Sequence, residues 1–250
     1  MKRTTIIIIS ITGILLGSCT KNFEEINTNP NNPSTSDVNY IFNYVVKEAA
    51  GEYGGSGEGR IYSTYNYSYV QRWIMHTAAV WGNSTMPPYS LFDQYRIQNL
   101  WQYFYSNLLL NNTILERMTA EDPEDINKHQ VARIWKVYCF HRVTDLWGDV
   151  PYSNAWELLD DYTGETIRPA YDPQEDIYAD MLEVLSEAVA NIDEEKGFFT
   201  NDMIFDGDLD QWKRFAHSLR LRLAVRSANE SVINEILTED HLISGNEIGR

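Results

Sequence analysis

Cysteine is nearly missing. The chain has two thiols in 250 residues, Cys19 and Cys139, and if the first is modified, as argued below, no pair is left for a disulfide. The fold must then be held by its core. Basic clusters are also missing: 36 acidic against 20 basic residues give a formal charge of −16, and no dense Lys/Arg run overrides it locally. Such a field repels phosphate backbones, which argues against nucleic acid as a partner. The apolar run Ile6 to Leu16 is interrupted by Ser10, Thr12 and Gly13 and falls short of the roughly 20 residues that a bilayer-spanning helix needs. The five histidines, 76, 129, 141, 217 and 241, show no HExxH or other metal-ligand spacing, so neither a metal nor a cofactor is expected. No convincing strand pair is found either. What is present is a 43% apolar, 13% aromatic composition, ample for a packed core.

The N-terminus carries the clearest signal. Lys2 and Arg3 form a positive head, the apolar run follows, and the small residues Gly17 and Ser18 lead into Cys19; this is the layout of a secretory signal. Leu16-Gly17-Ser18-Cys19 resembles a bacterial lipobox, in which a peptidase cuts before a cysteine that has received a diacylglycerol. The competing reading is a signal cut nearby, with Cys19 an ordinary thiol. The expected organisation is a signal peptide over 1–18, a lipidated Cys19 opening an Asn/Pro/Ser/Thr-rich tether over 19–36, and one domain over 37–250. Acyl chains bury CH₂ groups at about 0.8 kcal/mol each, so attachment would be effectively permanent. Thr20, rather than an Asp, follows the cysteine, which favours the outer membrane.

Apolar spacing predicts helices over Asp37 to Ala50, over 61 to 81 with a Tyr62, Tyr65, Tyr69, Trp73, His76 stripe, and over Phe92 to Met118. More are predicted from Pro123 to Trp147, Pro173 to Ile192 and Asp208 to Ala228. The fold class is therefore all-α, built of successive antiparallel hairpins with long loops. Residues 171 to 195 hold nine acids and no Lys or Arg, whereas 212 to 226 hold five bases and no acids. Those two helices are expected to lie side by side, with Arg220, Arg222 and Arg226 either paired there or forming a basic ligand patch.

The chemical candidates weaken on geometry. In YCFHRVTDLWGDVPY, Cys139 and His141 point about 200° apart on a helix and cannot form a nucleophile–base pair. His141 and Asp145 share a face, but an i, i+4 couple beside aromatics is far more often structural. Gly148 suits a left-handed helix cap and Pro151 stops continuation. Asp206-Gly207-Asp208-Leu209-Asp210 imitates a calcium loop, yet its sixth and twelfth positions are Gln211 and His217 rather than Gly and Glu.

The blocks CTKNFEEINTNPNNP, ARIWKVYCFHRVTDLWGDVPYSNAW, YDPQEDIYADMLEVL and DGDLDQWKRFAHSLRLRLAVR, in that order, resemble the SusD/RagB family of nutrient-binding outer-membrane lipoproteins, in the branch opening with an NTNPN-type segment. The resemblance implies TPR-like helical hairpins, a lid-like position over a TonB-dependent outer-membrane transporter, and capture of oligosaccharides or peptides at the cell surface without catalysis. Family chains are usually longer, so a C-terminal truncation is expected. Sugar recognition favours aromatic faces with amides nearby, and the loop Trp81 to Tyr89 offers Trp81, Asn83 and Tyr89 beside two prolines; the competing reading is a Trp that packs on the hairpin beneath it. Two other classes compete with the binding role: a transporter-bound scaffold without its own ligand, and an α-helical glycan hydrolase, for which no carboxylate pair stands out.

Overall fold

Helices carry the regular structure in the computed structural model, which describes residues 37–50, 74–76, 94–161, 168–239 and 241–243. These residues fall within Asp37–Arg250, the larger of two compact units in the chain. The elements are α1 (Val38–Ala50), α2 (Gln94–Tyr103), a π-helical stretch (Phe104–Leu109), α3 (Leu110–Ala120), α4 (Ile126–Trp147), α5 (Gln174–Ala190), α6 (Leu209–Arg226) and α7 (Glu230–Glu239), with 3₁₀ turns at Pro123–Asp125 and Glu157–Leu159. Among the described residues the only β pairing is an isolated bridge between Val150 and Asp172, so the expected all-α class holds.

Short polar side chains start these helices by satisfying free backbone N–H groups. Asp122 accepts from Glu124 N at 2.9 Å ahead of Pro123, and Asp208 accepts from Gln211 N at 3.1 Å. That second cap explains one carboxylate of the apparent calcium loop, and Asp210 is held by Arg214 Nε at 2.8 Å. Asn229 opens α7 in the same way, through Val232 N at 3.2 Å. The α4 C-terminus is closed at Gly148, whose N–H donates to Thr144 O at 2.8 Å. Its φ of +74° and ψ of −123° lie outside the left-handed helical region that the sequence suggested, in territory open essentially to glycine alone.

Cross-links fix the register. Asn112 Nδ2 donates to Ala132 O at 2.9 Å and His129 Nδ1 lies 3.0 Å from Glu116 O, so α3 and α4 run antiparallel. Arg133–Glu187 and Tyr178–Asp145 contacts set α4 against α5 in the same sense. Lys213–Glu194 ties the start of α6 to the segment that follows α5, and Arg220–Glu235 ties α6 to α7. α1 instead runs alongside α4: Trp135 Nε1 donates to Val45 O at 3.2 Å and Arg142 Nη1 to Ala49 O at 2.8 Å. Arg142 thereby serves an orphan carbonyl at the C-terminal end of α1, where a cation is favoured, while its guanidinium sits 5.7 Å from the Phe104 ring centre.

Because α4 touches α1, α3, α5 and α6, it is buried nearly all round, through Val131, Ile134, Trp135, Val137, Phe140 and Val143. On its flank Phe42 of α1 stacks on Phe199 at 3.9 Å between centroids and meets Trp212 at 6.0 Å. Both Phe42 and Trp212 are fully buried, each stabilising the fold by about 1.5–3 kcal/mol or more relative to an exposed ring.

Two sequence expectations need correction. The helix expected over 61 to 81 does not run through 74–76, which form a turn with Met75 at φ +58° and with Ile74 and Met75 exposed; the rest of that span lies outside the described residues. The expected side-by-side charge pairing holds only in part. Lys213 meets Glu194, but Arg220 turns to Glu235 of α7 and Arg226 to Asp145 of α4.

Candidate functional site

The stretch 138–152 shows how local chemistry is consumed by packing. Cys139 is fully buried, and that burial pushes its thiol up to about 12. His141, 4% exposed, is pushed down to about 4 by burial, which outweighs the nearby Asp145 carboxylate; its Nδ1 has no hydrogen-bond partner. Asp145 is engaged elsewhere, accepting from the Tyr178 hydroxyl and from Arg226 Nε at 2.7 Å. One carboxylate thus ties α4, α5 and α6 together, and the His141–Asp145 acid/base couple is not assembled. Beyond the helix, Asp172 accepts from the backbone N–H groups of Tyr152 (2.8 Å) and Ser153 (3.0 Å) and from Ser153 Oγ (2.7 Å). Partial burial works against its ionised form, but these bonds hold it below the ordinary carboxylate range. The WGDVPYS block is accordingly a clamped turn.

Two open clefts flank this turn. One, of about 280 Å³, lies between α3, α4 and the turn, with Thr113, Glu116, Lys136, Tyr152 and Trp156 among its walls. Its Glu116–Lys136 ion pair is only about a quarter exposed on either side. The other, of about 500 Å³, lies between the N-terminal end of α5 and the C-terminal end of α6, around Tyr178, Leu182, Arg226 and Asn229. Arg226, on the wall of this second cleft, pairs with Asp145, and Arg220 is held by both oxygens of Glu235 at 2.7 and 3.3 Å, so two of the three arginines that the sequence offered as a basic patch are ion-paired.

A run of near-parallel rings connects the first cleft to the surface. Trp156 stacks on Tyr105 (5.7 Å, 27°), Tyr105 on Trp101 (4.5 Å, 28°) and Trp101 on Tyr171 (6.4 Å, 14°), and Tyr171 is 63% exposed. The π-helical stretch contributes: its extra residue per turn shifts the helix phase between Trp101 and α3, a device often found near functional sites. The ladder draws on three separate segments, the helical run that carries Trp101 and Tyr105 and the loops that carry Trp156 and Tyr171, so sequence spacing could reveal only its Trp101–Tyr105 step. Among the described residues no group of three or more His, Cys, Asp or Glu side chains could hold a metal ion, and no helix is long and apolar enough to cross a membrane. The candidates from sequence, Cys19, Trp81, Asn83 and Tyr89, lie outside the described residues.

A family model described as starch-binding and associating with the outer membrane matches residues 30–243. No curated protein matches the chain by sequence. Solved structures do. A Bacteroidetes AC2a SusD-like protein aligns with a TM-score of 0.71 at 24% identity over 85% of this chain and 38% of its own. A SusD homologue from Parabacteroides distasonis gives 0.67 at 20% over 83% and 40%, and a chitin-binding SusD homologue from Flavobacterium johnsoniae gives 0.62 at 22% over 83% and 44%. The chain thus spans about two fifths of the length of these structures.

Proposed function

The chain belongs to the SusD-like family, and from that membership we propose that it is an outer-membrane lipoprotein which binds an oligosaccharide at the cell surface and passes it unaltered to a TonB-dependent transporter. The observation that carries this is the family match over residues 30–243, with its starch-binding, outer-membrane description. Sequence supplies the anchor: a signal peptide over 1–18, a lipidated Cys19 and a tether over 19–36. Trp81, Asn83 and Tyr89 are our ligand contacts, because a rigid indole or phenol face stacks on the apolar side of a sugar ring at small entropic loss while an amide meets its hydroxyls. The aromatic ladder ending at exposed Tyr171 is consistent with that chemistry. Binding without turnover fits a buried Cys139 and an Asp145 already engaged by two partners.

The test is retention of the full-length chain on a panel of immobilised glycans and peptides. We expect retention on at least one glycan, weakened about tenfold or more by Trp81→Ala, without release of product. Retention on peptides alone would replace the ligand class. Copurification with a transporter but no retention would leave a scaffold role, and product release would make the protein a hydrolase.

A further inference from the structure

We infer that the cleft between α3, α4 and the 152–157 turn is a site that takes a single neutral sugar ring. At about 280 Å³ the space is at the small end of ligand cavities, too small for a helix or a long chain segment. Its charges are mostly paired. Glu116 and Lys136 bond at 2.7 Å in its wall and Arg117 at its edge is bound to Asp160 at 2.7 Å, leaving exposed Glu157 as a further lining carboxylate, so the cleft offers nothing to hold an anion. An ammonium has three donors and a carboxylate about four acceptor sites, so their mutual bond leaves both with capacity to spare. A vicinal diol, which donates and accepts through adjacent hydroxyls, matches such a pair.

Two further features favour a polyhydroxylated ring. Thr113, in the cleft wall and 5% exposed, has a hydroxyl with no hydrogen-bond partner, an arrangement that native interiors avoid unless something supplies the bond. Trp156, also in the cleft wall, is backed by Tyr105 at 5.7 Å and 27° and by Phe140 at 5.7 Å and 68°. The indole is therefore held as a platform before any ligand arrives, and little ordering is left to be done on binding. The position of the site rests on this geometry; the choice of sugar among neutral polyols rests on the glycan-binding reading above.

The full-length chain, labelled with ¹⁵N, is titrated separately with glucose, galactose, mannose and N-acetylglucosamine, following the Trp156 indole N–H, which is identified by its loss in Trp156→Phe. At least one sugar is expected to shift it saturably. Ala120→Trp, at an exposed position on the rim, fills the mouth without touching the core and should weaken that titration at least tenfold. Thr113→Val removes one hydrogen bond and should weaken it about three- to tenfold. The inference is overturned if no sugar moves the Trp156 signal, or if either Ala120→Trp or Thr113→Val titrates like the parent. If glycan retention survives such a result, this site alone is refuted; if retention is absent too, the glycan reading falls with it.

Discussion

Replacing Asp202 tests whether a carboxylate hidden from the sequence pattern holds the loop before α6. Asp202 is 6% exposed and accepts from Trp212 Nε1 at 2.7 Å, Ile204 N at 2.9 Å and Gly207 N at 3.2 Å. The loop that it spans has two residues at positive φ, Asp206 at +53° and Gly207 at +87°, so the backbone needs such a tie. In Asp202→Ala the indole N–H of fully buried Trp212 loses its acceptor, at about 1–3 kcal/mol, and two part-buried amides lose a charged acceptor that water replaces only incompletely. The expected total is about 3–4 kcal/mol, a large share of the 5–15 kcal/mol typical of a native domain. At about 2–4 °C per kcal/mol for a chain of this size, the melting midpoint should drop by roughly 6–16 °C. Asp202→Asn keeps one acceptor and should cost about 1 kcal/mol. Urea unfolding followed by far-UV circular dichroism measures each variant, and Trp212→Phe completes a double-mutant cycle. Because both single changes break the same bond, the double mutant should lose about 1–3 kcal/mol less than the two losses combined. A loss below about 1 kcal/mol for Asp202→Ala, or strictly additive losses, would refute the assignment.

Two other side chains give equally direct tests. Burial holds His141 at about 4, below its ordinary 6.5, with Arg222 and Arg142 opposing and Asp145 favouring its charge. The native ring stays neutral where the unfolded chain takes up a proton, so its contribution is fully present above pH 6.5 and is lost as pH falls towards 4, on the order of 3 kcal/mol in all. His141→Gln should flatten the urea midpoint across that window, and an unchanged slope contradicts the argument. Cys139, buried and with its thiol raised to about 12, should stay unmodified by iodoacetamide in the native chain and react fully in urea, as read by peptide mass; labelling under native conditions contradicts its placement.

Long periodic helices were legible because apolar spacing and a capping residue agreed. The first helix was expected over Asp37 to Ala50 and found over Val38–Ala50, and those ending at Trp147 and opening near Gln174 and Leu209 were found within a few residues of expectation. α7 was missed, although Asn229 before Glu230 is an N-cap followed by a first-turn acid. The π-helical stretch at Phe104–Leu109 was missed because one helical period was read straight through from Phe92 to Met118, and the phase shift inside that run shows only in the backbone. Facing charges misled because Arg220 and Arg226 project in different directions from one helix, so both cannot meet the same neighbour. The Thr113–Trp156 cleft was invisible for another reason: it brings together residues whose proximity exists only after the hairpins stack. Asp202 was missed although its partners lie within ten residues, because an irregular loop carries no period to read.

Arrays of helical hairpins ordinarily melt piecemeal, since each unit leans only on the next. Here Phe42 rests on Phe199 and Trp212, and Asn39 Oδ1 receives Thr200 N at 2.9 Å, so the first described helix is seated on a segment made more than 150 residues later. That closure couples both ends of the stack and makes loss of either end a loss for both. An emerging chain cannot finish its core until α6 has arrived, which favours all-or-none unfolding over fraying from one terminus.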